Sequence, residues 1–278
     1  PLGVYTKVRK DAHKLIEEFM LLANRHVAEF IGKPQKDKDP IPFIYRVHDE
    51  PDTAKIELFK LFIDKFGYDL ESTDIKAVSK SINKLLNDIR YEYEYSFIQS
   101  MAIRSMSKAT YETDNIGHYG LAFEHYTHFT SPIRRYADLM VHRILFEELT
   151  TRKHVYGSQL GEIAKKISRN ERKAADAERE STKYFQTIFV LDKIGEEFEG
   201  TVSGIAEHGM YVRMDENQCE GMVAMQSIPG DRFYFDAEKY RIIGTKTKKE
   251  FNFGDRVRVK IDEVSPRKRQ IDLELVEQ

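Results

Sequence analysis

The strongest constraint on the fold is a change of period near Gly195. Before it, apolar residues recur every three or four positions; after it they alternate in short runs. Residues 10 to 31 carry Ile16, Phe19, Met20, Ala23, Val27, Phe30 and Ile31 at helical spacing. Asp11 stands where an N-cap is expected, and Gly32 with Pro34 supplies a stop. KPQKDKDP (33–40) reads as a polar loop and IPFIYRV (41–47) as a short strand. Ala54 to Phe66, Ile75 to Arg90 and Tyr95 to Tyr111 give three amphipathic helical stretches. A helix is expected from Pro132 to Leu149, because proline is tolerated in a first turn and Thr130 and Ser131 are competent caps. Leu139, Val141, Ile144 and Leu145 would serve its core face, and a long charged helix follows from about Ser158 to Lys193. Beyond Gly195 come FEGTVSGI, GMYVRM, CEGMVAM, RVRVKIDEV and QIDLELV, separated by turn residues such as His208-Gly209 and Phe253-Gly254-Asp255. Five short strands at this spacing predict a small β-barrel or sandwich. The expectation is an α+β chain, mainly helical over residues 1–194 and a β-domain over 195–278.

Composition narrows the class. With 41% apolar residues among 278, the chain has enough material for real cores. No apolar run approaches the roughly 18 residues of a membrane span, so no membrane partner is expected. Cys219 is the single cysteine, which excludes an internal disulfide and a cysteine-based zinc cluster and suits a reducing, cytoplasmic compartment. The formal net charge of −2 argues against a wholly basic nucleic-acid binder but is silent about local patches. Because the chain opens on Pro1 without a methionine, it reads as a piece of a longer protein.

The segment HYGLAFEHYTHFTSPIRRYADLMVHR (118–143) concentrates the chemistry. Thr130 and Ser131, at an expected helix N-terminus, offer hydroxyls and backbone N–H groups to an anion. Arg134 and Arg135 follow within the expected first turn, where the dipole gives a cation no reason to be; an external phosphate would compensate both. Tyr119, Tyr126 and Phe129 supply ring faces on which bases could stack. The plain alternatives are an Arg135–Asp138 surface ion pair and aromatics that belong to the core. His118, His125, His128 and His142 invite a zinc reading, yet no third protein ligand falls at a recognisable spacing, so structural histidines are expected. A serine nucleophile at Ser131 lacks the Gly-x-Ser-x-Gly elbow.

HFTSPIRRYADLMVHR resembles the signature of the RNB family of exoribonucleases, the ribonuclease II and ribonuclease R group. RKDAHKLIEEFMLLAN (9–24) and PFIYRVHDEPD (42–52) are similar to further blocks of that family in the same order, the latter pointing to its ribonuclease R branch. The resemblance implies processive 3′-to-5′ hydrolysis of single-stranded RNA to nucleoside monophosphates with magnesium. It implies that Arg134 contacts the phosphate near the scissile bond, where it would stabilise charge developing in the transition state. It also implies a carboxylate near the 3′-terminal nucleotide. Glu17 is chosen over Glu18 because it lies seven residues from Asn24, so the two share one side of the helix and both become candidate RNA contacts. The family's magnesium ligands are aspartates in a block with an Asp-Asp-Ala run, and this chain contains no such run. A two-metal mechanism needs those carboxylates, so magnesium is expected to be held by the parent protein outside this chain and the chain alone is expected to be inactive. Apolar surface that the rest of the catalytic domain would cover makes oligomerisation a fair expectation.

The segment from Gly195 resembles the S1-type RNA-binding domain, a five-stranded OB-fold whose second and third strands face RNA. Tyr211 matches an aromatic of that face and Arg269 sits in the last turn. His208 stands where an aromatic is usual and Ala224 where a histidine is usual. Residues 195–278 hold 13 lysines and arginines against 17 aspartates and glutamates, a net of −4, so affinity would rest on Lys246-Lys248-Lys249, Arg267-Lys268-Arg269 and stacking. Lys165, Lys166, Arg169, Arg172 and Lys173 recur at helical spacing as one basic stripe suited to RNA phosphates. Its plain alternative is a solvated face paired with Glu162 and Glu171. Three function classes follow: an exoribonuclease component, possible partners including an RNA-degradation complex; a non-catalytic RNA-binding adaptor with an RNB-like shell; and a histidine-based metallohydrolase.

Overall fold

The change of period near Gly195 is a change of architecture. The computed structural model describes residues 1–276 apart from 2, 5–7, 34–39, 72–74, 93, 152, 154 and 238–239; most of the loop expected at 33–40 lies outside the described residues. Six helices and ten strands follow in chain order among the described residues: α1 (Asp11–Gly32), β1 (Tyr45–Val47), α2 (Thr53–Asp64), α3 (Ile75–Asp88), α4 (Tyr95–Ser105), β2 (Thr110–Glu112), α5 (Tyr136–Thr150), α6 (Leu160–Val190), β3 (Glu197–Ala206), β4 (Gly209–Met214), β5 (Glu220–Ala224), β6 (Phe233–Asp236), β7 (Arg241–Gly244), β8 (Glu250–Phe251), β9 (Arg256–Ser265) and β10 (Gln270–Leu275). The chain divides into two compact units, Lys7–Leu58 with Arg104–Ala175, and Pro1–Thr6, Phe59–Ile103 with Asp176–Gln278.

In the first of these units α1 begins one residue earlier than its expected cap: Lys10 is the N-cap, its N–H donating to His13 Nδ1 at 3.0 Å, and Asp11 lies inside the first turn. Only the C-terminal half of the helix packs. Asn24, Ala28 and Ile31 are buried, whereas Ile16, Phe19 and Phe30 of the helical apolar pattern are exposed. Residues 11–19 are exposed around the whole helix circumference, so periodicity there marks a face that no described residue covers. The third helical stretch ends at Ser105 rather than Tyr111. Tyr111 instead pairs with Arg46 in the antiparallel β1–β2 ribbon, its ring buried. Phe43, Ile44, Val47, Met140, Val141, Ile144, Leu160 and Ala164 fill the core around it.

The helix expected from Pro132 starts at Tyr136, with Arg135 as N-cap. Ser131 to Arg134 form a turn instead, Arg134 N–H and Arg135 N–H both donating to Ser131 O at 3.3 and 3.1 Å. Proline's fixed φ suits the second position of such a turn as well as a helix's first turn. The turn wins because Asp138 receives the Ser131 N–H at 2.7 Å.

In the other unit, β3, β4, β5, β9 and β10 close into a barrel in the order β10-β5-β4-β3-β9, the OB-fold expected from the five alternating runs. Val202, Met210, Val212, Met214, Val223, Val259, Ile261 and Leu273 point inward and are buried. Closure depends on the parallel β5–β10 pair, and there Gly221 has no room for a side chain: a Cβ would lie 2.9 Å from Ile271 O and 2.7 Å from Leu273 Cγ. Between β5 and β9 the chain inserts a three-stranded antiparallel sheet, β6-β7-β8, that the sequence pattern did not predict. Its β7–β8 turn carries Lys246, Lys248 and Lys249, and Asp231 organises it by accepting the N–H groups of Lys246 and Thr247 at 2.8 and 2.6 Å.

Candidate functional site

The Tyr126–Asp138 segment is tied from two helices by buried polar side chains. Asn24, on α1 and 3% exposed, accepts the N–H groups of Phe129 (3.0 Å) and Thr130 (3.2 Å) on Oδ1 and donates Nδ2 to the Tyr126 hydroxyl (3.1 Å). Asp138, on α5 and completely buried, accepts on Oδ1 both the Ser131 N–H and Arg135 Nη2, each at 2.7 Å. Thr127 is buried and its hydroxyl donates to Ile44 O at 2.7 Å, which fixes the segment to β1's approach. Phe129 stacks face to face on His142, ring centroids 4.1 Å apart, and His142 Nε2 reaches Phe129 O at 2.9 Å.

These contacts sort the predicted contact residues. Asn24 and Tyr126 are buried and engaged with each other, so neither offers a face or an amide to a ligand. Arg135 is committed to Asp138, which the sequence had as one of its two readings. Thr130 and Ser131 spend their N–H groups on Asn24 and Asp138, and they precede the helix by several residues, so they do not form a helix-N-terminal anion site. Phe129 has one ring face taken by His142. Arg134 differs from all of these. It is exposed at the end of the turn, its side chain has no hydrogen bond or ion pair among the described residues, and fully exposed Ile133 and half-exposed Tyr136 flank it. The sequence offered the Asp138 pairing for Arg135 and the phosphate contact for Arg134, but nothing in it marked Ile133 and Tyr136 as exposed. On α1, Glu17 is exposed and paired with Arg9.

The histidines are used as structural acceptors and rings. His48 Nδ1 accepts Gly120 N–H at 3.2 Å, and His118 Nδ1 accepts Leu121 N–H at 3.2 Å. The two rings stack at 5.1 Å, with Tyr119 stacked on His48 at 6.1 Å. His128 Nδ1 lies 2.6 Å from the Tyr111 hydroxyl. Burial pushes His118 down to about 4 and His128 down to about 3, with nearby His48 and the arginines adding to the same direction, so these rings are neutral at pH 7. Under them, Arg46 stacks 4.6 Å above the Tyr111 ring and binds Glu171 at 2.6 Å.

On α6, Lys165, Lys166, Arg169, Arg172 and Lys173 are all exposed, opposite buried Ala164 and Ser168. Lys165 pairs with Glu162 at 3.3 Å, the other four have no ion pair among the described residues, and Glu171 is bound to Arg46. On the barrel, Tyr211 lies over Gly204 on the outside of β4, and its hydroxyl is 3.1 Å from His208 Nε2. Arg269, in the β9–β10 turn with φ 58°, binds Glu180 at 2.7 Å and is therefore not a free cation.

The chain was compared with known proteins. The RNB domain matches residues 1–151 and the S1 RNA binding domain matches residues 191–275. The chain belongs to the RNB family. Over its whole length it is 35% identical to Ribonuclease R of Aquifex aeolicus, spanning 39% of that protein. The apo form of Mycoplasma genitalium RNase R superposes with a TM-score of 0.91 at 31% identity, over 99% of this chain and 43% of that one. The same RNase R in complex with ribose methylated single-stranded RNA gives the same TM-score. Glu17, Asn24 and the Tyr126–Asp138 arrangement thus fall in the RNB-matched residues, Tyr211, His208 and Arg269 in the S1-matched residues, and the stripe at 165–173 between the two.

Magnesium, which an RNB nuclease would use, needs converging oxygen ligands. Among the described residues no three histidine, cysteine, aspartate or glutamate side chains come together. Asp138 is spent on Ser131 and Arg135, and Glu17 on Arg9. The described residues do not fit a bound metal, neither magnesium nor the zinc suggested by the histidines.

Proposed function

We propose that this chain is the C-terminal part of an RNB catalytic domain (1–194) followed by an S1-type domain (195–278), and that its parent is a processive 3′-to-5′ exoribonuclease releasing nucleoside monophosphates from single-stranded RNA in the cytoplasm. The observation that carries the reading is Arg134: a permanently charged guanidinium, without an ion pair among the described residues, at the end of a turn whose neighbours are fixed by buried hydrogen bonds. Such a group binds a phosphate through two parallel N–H···O bonds and stabilises charge developing on it. Glu17 would lie near the 3′-terminal nucleotide. The stripe Lys166, Arg169, Arg172 and Lys173 would meet backbone phosphates, and Tyr211 with His208 would stack a base on the barrel. Magnesium, which would supply the activated water, would be held by carboxylates outside this chain, and the chain alone would bind and position RNA without cutting it.

The assay is mononucleotide release from end-labelled oligoadenylate in magnesium. The longer parent is expected to release nucleoside monophosphates stepwise and the 278-residue chain none. Robust release by the chain alone would overturn the division of labour; an inert parent that still binds RNA would replace the nuclease reading with an adaptor. No helix among the described residues is long and apolar enough to cross a membrane.

A further inference from the structure

We propose that Asp138 is a positioning residue that divides the Arg134-Arg135 pair into one structural and one presented cation. Two identical side chains adjacent in sequence would repel each other and compete for the same anion. Asp138 removes the competition. It is the third residue of α5, where a carboxylate also faces the positive end of the helix dipole, and it is completely buried. One of its oxygens, Oδ1, holds both ends of the turn: the Ser131 N–H before it and Arg135 Nη2 after it, each at 2.7 Å. The turn between these anchors is closed by Arg134 N–H to Ser131 O and stiffened by Pro132. With both ends fixed, the tip has little freedom, and Ile133 is held fully in water next to exposed Arg134. An isoleucine in that position gains nothing from burial, so the backbone, not side-chain packing, sets where Arg134 points. A buried carboxylate paired at one oxygen to a mostly buried arginine is a costly arrangement. Here it delivers a rigid mount for the next guanidinium along the chain.

This inference rests on the reading that Arg134 meets an RNA phosphate, and the experiment separates the two. Binding of a labelled single-stranded oligoadenylate to the 278-residue chain is measured by fluorescence anisotropy across a salt series for R134A, D138N, D138E and R134A/D138N, with the melting temperature of each. R134A is expected to weaken binding roughly three- to tenfold and to lower the salt slope by about one. D138N is expected to match it, and the double variant to lose no more than R134A alone. D138E, which keeps the charge facing Arg135 but displaces the Ser131 contact, is expected to show the same loss, so a failure of D138N to fold leaves the test in place. If R134A binds as wild type, the phosphate reading falls. If R134A weakens binding while both Asp138 variants bind normally, the clamp falls alone. Losses that simply multiply in the double variant would also overturn it, since a general destabilisation acts regardless of Arg134.

Discussion

Replacing Asn24 by alanine removes one side chain and three contacts that join segments more than a hundred residues apart in sequence. Each such hydrogen bond contributes about 1 kcal/mol net, and a buried group left unpaired costs about 1–3 kcal/mol. The Tyr126 hydroxyl is buried, so water is a poor substitute there; Phe129 and Thr130 are half-buried, so their N–H groups recover part of the loss. The sum is about 3 kcal/mol of destabilisation for N24A. N24L separates hydrogen bonding from volume, because leucine fills nearly the same space with no donor or acceptor. If the hydrogen bonds dominate, N24L loses as much as N24A. Urea unfolding followed by far-UV circular dichroism gives the stability, provided the dependence on urea is unchanged. Hydrogen exchange at the Phe129 and Thr130 amides localises it, which matters in a chain of two compact units. A loss below about 1 kcal/mol in both variants, or full recovery in N24L, would refute the claim that Asn24 acts through these bonds.

Two further outcomes follow from charge. His118 and His128 titrate near 4 and 3 in the fold because burial disfavours the cation, against the ordinary 6.5. At each of these two sites the unfolded chain binds more protons than the folded one between that value and 6.5, so the histidines' contribution to stability is full above pH 6.5, falls as the pH drops through it, and levels off below about 3. The slope is at most about 1.4 kcal/mol per pH unit for each histidine; H128Q should flatten it in pH-dependent urea titrations, and an unchanged slope would contradict the assignment. On α6, K166E/R169E should weaken single-stranded RNA binding and lower its salt slope by about two or more, since two unpaired cations are reversed. Equal slopes for wild type and variant would remove the stripe from the RNA path.

How much of this was legible before the structure varies with the physics involved. Periodicity located the helices and the five barrel strands, because both alternations report which face is buried. It missed β6, β7 and β8, which are four, four and two residues long and stand among charged turn residues. It also overran at Tyr111, whose ring fits a helical stripe as well as a strand. Pro132 misled for a similar reason: its fixed φ serves a helix start and a β-turn equally, and only Asp138, six residues on, decides between them. On α1 the pattern gave the helix but not what its apolar side meets. A stripe of Ile16 and Phe19 states that a face is apolar, not that anything described here covers it.

The candidate site was legible as a set of residue types and only in part as a set of pairings, because a charge's partner is a tertiary fact: the Arg135–Asp138 pair was one of two readings. Arg134 and Arg135 are neighbours with the same chemistry, yet one is bound to a buried carboxylate and the other faces solvent. The same sorting runs through the chain: Arg46 is bound to Glu171, Arg258 to Glu199, Arg269 to Glu180, Arg241 to Asp236 and Glu250. With Glu171 bound to Arg46, only Glu162 of the two partners the sequence had offered pairs with the α6 stripe, at Lys165. A near-neutral chain thereby acquires local positive potential without any excess of basic residues. The acids are spent at specific places, and Arg134, Lys166, Arg169, Arg172 and Lys173 are among the cations without an ion pair among the described residues. Affinity for a polyanion should then depend on where acidic residues are tied down as much as on the cations themselves. Freeing Glu171 by removing Arg46 would return a carboxylate to the stripe's neighbourhood and cancel part of its field.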